Sequence, residues 1–189
     1  FVPVGINSIA LVLLGIAYHR VTRRSYPHQP VAAPALPPGL HLADIDAALT
    51  ADNTAKGGEF AAQAKAALPD AASKQAAWDA LISKADLPNT LVRSGALGFV
   101  NASGVDVLAG FIPAYFDMLL PVWESRTYQI ANYLITGLYP AVLASAELRD
   151  ATSAWLQANA DAPAALRRLV NENLAVVERA LRVQERDAN

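Results

Sequence analysis

Along most of the chain, apolar residues return at steps of three and four, the spacing that lets one face of an α-helix be buried. The pattern is strongest over residues 103–123, where Leu108, Phe111, Ile112, Tyr115, Phe116, Leu119, Leu120 and Trp123 share a face. Pro113 and Pro121 predict a kink or a division within that run, because proline lacks the helical N–H donor. Before it, the pattern predicts helices over residues 43–51, 55–68, 73–85 and 88–100, the third placing Ala77, Trp78, Leu81 and Ile82 on one side. After it come residues 128–138, apolar on most sides and ended by Pro140, then 145–157 opened by Ser145. The last helix, residues 161–186, is opened by Asp161 with Pro163 and buries Leu166, Leu169, Val170, Leu174, Val177 and Leu181. No segment alternates apolar and polar positions with period two, so no strand is expected. Short helices with one apolar stripe each, joined by short turns, predict an all-α fold of stacked antiparallel helix pairs. The expected form is a HEAT-like right-handed superhelical array.

The beginning of the chain has a different pattern. Residues 1–18 carry no charge and are followed by His19, Arg20, Arg23 and Arg24. A bilayer core needs about 20 apolar residues, with a minimum near 17. Residues 1–24 are therefore expected to form a single transmembrane helix with a basic flank, with a buried core helix and a signal sequence as alternatives. Residues 25–41 form a proline-rich linker, with Pro27, Pro30, Pro34, Pro37 and Pro38, which favours extended polyproline geometry. Residues 42–189 are then the helical domain. The positive flank places that domain in the cytoplasm, membrane-anchored; a cytoplasmic protein without an anchor is the alternative.

Composition narrows the chemistry. Hydrophobic residues make up 53% of the chain and charged ones 17%, with alanine supplying much of the excess, which favours helix. The net charge of -2 gives no basic face of the kind nucleic acid requires. With no cysteine, thiolate metal sites, disulfides and cysteine nucleophiles are excluded. His19 and His28 stand among basic and aromatic residues and lack further ligands, so an interfacial position is expected. His41 with Asp44 and Asp46 reads as a solvated helix start rather than a carboxylate–histidine cluster. Gly57-Gly58 is too short for a phosphate loop, and no G-x-S-x-G elbow occurs. The adjacent Arg167 and Arg168 are expected in solvent, and Trp78, Trp123 and Trp155 in the core. Trp123, at the end of the strongest stripe, is expected to wedge two helix layers together.

Three stretches carry a family likeness: DNTAKGGEFAAQAKAALPDAASKQAAWDAL (residues 52–81), VWESRTYQIANYLITGLYP (122–140) and APAALRRLVNENLAVVERALRVQERD (162–187). In order and spacing they resemble the C-terminal helical domain of actinobacterial aminopeptidase N-type zinc metallopeptidases, over about residues 45–189. The resemblance implies a non-catalytic domain acting as lid and scaffold over a chamber that admits peptides. It implies zinc only for the full-length enzyme. The family's H-E-x-x-H and G-x-M-E-N motifs are both missing here, the single methionine, Met118, lying in DMLL. The chain on its own is therefore not expected to be an enzyme. The upstream half of the family's helical domain is also not represented. Residues 3–30 look like the last transmembrane helix of HPP-type bacterial membrane proteins, and residues 40–49 look like the segment on the C-terminal side of that helix in the same proteins. The chain thus reads as a fusion of two C-terminal fragments.

Within the second stretch, Arg126 stands between apolar helices in WESRTY. Two roles are open to it: a bidentate grip on a peptide carboxylate, or a structural ion pair with Glu124 or another acid. The partners implied are the catalytic domain or a peptide substrate of a peptidase, or an unknown protein partner if the module serves interaction alone. Residues 1–24 add a membrane, and nucleic acid is not expected.

Overall fold

The structure, a computed structural model, describes residues 40–188 except positions 85, 102 and 103. The transmembrane helix expected over residues 1–24 and nearly all of the linker over 25–41, with His19 and His28, lie outside the described residues. The described part is all-α: α1 (Leu42–Ala51), α2 (Ala55–Ala67), α3 (Ala71–Ser83), α4 (Asn89–Phe99), α5 (Val105–Leu108), α6 (Ile112–Ser125), α7 (Tyr128–Gly137), α8 (Ala146–Ala158) and α9 (Ala164–Asp187). Short 3-10 turns stand at Ala109–Phe111 and Ala141–Leu143.

Helix starts follow from local chemistry. The side chains of Thr54, Asp70, Thr127 and Ser145 accept the orphan N–H groups of Gly57, Ser73, Ile130 and Leu148. Pro88 and Pro163 occupy the cap positions of α4 and α9, so α9 starts at Ala164 and Asp161 lies outside it, not at its opening. The run expected as one helix over residues 103–123 is broken before Pro113 into α5, a 3-10 turn and α6. Pro113 then sits in the first turn of α6, where its missing N–H leaves no bond unmade, and Pro121 stays inside the helix.

Within this frame α2 packs on α4, α4 on α7 and α7 on α9, while α3 lies against α2 and α4, and α8 against α9. The closest seam is that of α2 and α4. A Cβ on Gly98 would fall 2.1 Å from the Gln63 carbonyl oxygen, so only glycine lets the two backbones approach this far. One core joins Phe99, Leu108, Tyr115, Leu119, Leu134, Ile135, Leu148, Leu166 and Val170. Full burial of such a side chain contributes about 1.5–3 kcal/mol. The stretch Val105–Ser125 is long and apolar enough to cross a membrane, yet its Leu108, Tyr115, Leu119 and Val122 form the centre of this core. A second, smaller cluster lies under α1, where Ile45 meets Ala61, Ala64 and Leu68, with Leu40 and Leu49 packed against it.

Of the tryptophans, Trp78 is 8% exposed and meets Phe99 and Phe111 at 5.7 and 5.3 Å between ring centroids. Trp123 is only half-buried, edge-on to the exposed ring of Tyr128 at 5.8 Å, so the aromatic wedge of this core is Trp78. Trp155 is half-buried against the core.

Candidate functional site

Buried polar side chains are the first place to look for chemistry, because an unpaired one costs stability. Here most of the inward-reaching donors converge on helix C-termini, whose last carbonyls have no intrahelical partner. Lys74 of α3 is fully buried, and its ammonium donates to the carbonyls of Ala66, at the end of α2 (2.7 Å), and Phe99, at the end of α4 (2.5 Å). The same ammonium stands 5.1 Å from the centroid of the Phe99 ring. Asn101 donates beside it to Ala67 and Gly98, each at 3.0 Å. Tyr115 of α6 donates to Ile135 in the last turn of α7 (2.7 Å), and Asn173 of α9 donates to both that carbonyl and the Tyr115 hydroxyl at 3.0 Å. Thr152 gives its proton to the Leu148 carbonyl (2.7 Å), so Tyr139 is the donor in the 2.8 Å bond between the two hydroxyls.

Arg126 belongs to the same pattern. Its guanidinium donates to the carbonyls of Ile82 (2.6 Å) and Lys84 (3.1 Å), holding the C-terminus of α3 from across the chain. Among the described residues no ion pair joins it to Glu124 or another acid. Arg167, expected in solvent, is half-buried and donates to Leu156 and Asn159 at the end of α8, both at 2.6 Å. Arg168 is exposed as expected, pairing with Glu172 (3.3 Å) and donating to the Tyr128 hydroxyl (3.2 Å). A cation at a helix C-terminus also meets the negative end of the helix dipole.

Burial sets the titration of these groups. Loss of solvation pushes the Lys74 amine down to about 8, against a weaker raising effect of Asp70. Burial likewise pushes the Tyr115 and Tyr139 phenols up, so both remain neutral donors at ordinary pH. Backbone and side-chain hydrogen bonds from Ser73 hold the Asp70 carboxyl below its usual value.

The remaining candidates are not brought together. Asp44 accepts the His41 N–H at 2.9 Å and closes the start of α1, and Asp46 pairs with Lys65 of α2 at 2.5 Å. Among the described residues no group of three His, Cys, Asp or Glu side chains is placed to hold a metal, so zinc, implied only for the full-length enzyme, finds no donor set there. Gly57 is required by packing: a Cβ there would lie 2.2 Å from the Asp52 carbonyl oxygen. A groove along the start of α9, past Ala162, Ala164, Arg168, Asn171 and Glu172, is shallow and open to solvent.

The described residues thus form a helical scaffold whose inward-reaching polar groups fasten one helix to another. The model of the ERAP1-like C-terminal domain matches residues 34–179, and the chain belongs to that family. It is 43% identical over 145 residues to aminopeptidase N of Streptomyces lividans, a match covering 77% of this chain and 17% of that protein. The chain therefore corresponds to a small part of its relative, the helical C-terminal domain. The family match begins at residue 34, taking in the end of the proline-rich segment and the whole of α1.

Proposed function

We propose that residues 42–189 act as a non-catalytic lid and scaffold over the peptide chamber of an aminopeptidase N-like zinc peptidase, their helices continuing a HEAT-like array. The observation that carries this reading is the 43% identity to a segment of aminopeptidase N. The packing of α2 on α4, α4 on α7 and α7 on α9 also supports it. Arg126 is assigned here the role of fixing α3, because gripping a peptide carboxylate would compete with its bonds to Ile82 and Lys84.

The test is reconstitution. An aminopeptidase N lacking the segment that matches this chain is mixed with the 189-residue protein and zinc, and turnover of short aminoacyl reporters is compared with that of longer peptides. Association with a changed preference between the two substrate lengths is expected, with no turnover by the chain alone. A truncated enzyme that neither binds the chain nor alters its preference would remove the proposal. Zinc-dependent activity of the chain alone, surviving repurification, would remove its non-catalytic part.

A further inference from the structure

Lys74 is fully buried and, among the described residues, forms no ion pair with a carboxylate; its acceptors are carbonyl oxygens at the ends of α2 and α4. An ammonium has three N–H donors and a neutral amine two. Among the described residues two carbonyls accept from Lys74, so a neutral amine retains both bonds and leaves no donor over. Among the described residues the ammonium's third proton meets the Phe99 ring face, and Gly104 closes in on the Lys74 Cε, where a Cβ would stand 3.2 Å away. The charges on the packed elements are turned elsewhere. Lys56 pairs with Glu59 and Lys65 with Asp46 on the α2 side, while Arg93 of α4 and Asp106 of α5 are exposed. Asp70, at the start of α3 itself, is the charge that favours the protonated form.

We propose that the junction of α2, α3 and α4 is a proton-linked latch: Lys74, buried between two carbonyl acceptors, gives up its charge while keeping both bonds, and the helical domain becomes more stable as it does so. Linkage sets the sign. Below about pH 8 the folded and unfolded chains both hold the proton and stability has no slope from this group; between about 8 and the ordinary lysine value of 10.5 only the unfolded chain holds it, so stability rises with pH. Tyr115 and Tyr139 act in the opposite sense, because their phenols ionise in the unfolded chain from about pH 10 upward, so the latch is read below about pH 9.5.

Two measurements on the full chain decide it. The first follows the ε-methylene and ε-nitrogen resonances of isotopically labelled lysine against pH, assigning Lys74 by its absence from Lys74→Met. A midpoint near 8, with the nuclear Overhauser contacts from the Lys74 ε-methylene to the Phe99 ring retained through the transition, is expected. A midpoint at or above the ordinary 10.5, or loss of those contacts at the midpoint, overturns the latch. The second compares urea midpoints of the wild type and Lys74→Met across the same pH range. The wild type should gain on the variant as pH rises above about 8, and parallel curves would count against the proposal. Should Lys74→Met not fold, the resonance titration decides alone, with Lys74 assigned by through-bond correlation.

Discussion

Trp78 and Trp123 carry the same ring in different surroundings, and the difference should show in stability. Truncating a well-buried aromatic to alanine costs about 3–5 kcal/mol through lost transfer energy and the cavity left behind. Trp78, packed on Phe99 and Phe111, should suffer that loss; Trp123, sharing its exposure with Tyr128, should lose clearly less. Arg168→Ala, on the solvent face, should change stability by under about 0.5 kcal/mol. Urea melts followed by circular dichroism rank the three, and Trp123→Ala as damaging as Trp78→Ala would mean that the core is misplaced. The most consequential buried residue was partly legible in the sequence. Lys74 precedes Trp78 and Leu81 at i+4 and i+7, a charge on the apolar stripe of its own helix. Asn173 interrupts the stripe of Leu166, Leu169, Val170 and Val177 in the same way. What no spacing could reveal is that their partners are carbonyls at the ends of other helices, since those contacts join positions 25 and 38 residues apart.

At the scale of elements, the helices were visible because each buries one face, and their starts were misjudged where a cap intervened. Asp70 moves the start of α3 to Ala71, and Pro163 moves that of α9 to Ala164. The division into α5 and α6 was signalled by Pro113, but periodicity cannot tell a 3-10 turn from a continuing helix over three residues, the length of Ala109–Phe111. The seam between α2 and α4 was not legible at all, because a glycine in a helix predicts only weak propensity until its neighbour is known. Gly98→Ala should press a methyl group into the Gln63 carbonyl and force the helices apart. Because backbone rather than a flexible side chain must move, the expected cost is at least about 1–3 kcal/mol. Gly58→Ala, whose added methyl would make only an ordinary contact with Leu91 at 3.9 Å, is the control and should be neutral or slightly stabilising. Equal thermal midpoints for the two variants would refute the close seam.

For the whole molecule, the all-α class and the family were both readable, since apolar spacing fixes the first and three long stretches carry the second. Function was less readable, because the resemblance rests on packing residues and not on reacting groups. The described part also stands on two unequal foundations. The main core draws on α2 through α9, whereas α1 is held through the small cluster around Ile45 and through the surface pair of Asp46 with Lys65. Surface pairs of this kind contribute about 0–1 kcal/mol. Amide hydrogens of α1 should therefore exchange with deuterated solvent by local opening, at rates set by a free energy well below that of global unfolding. Those of α7, with Ala131, Leu134 and Ile135 fully enclosed, should exchange only when the whole domain unfolds. Mass-resolved exchange would separate the two populations, and uniform protection across α1 and α7 would refute this order. α1 is then the element that comes away first, a hinged first leaf that detaches without disturbing the body behind it.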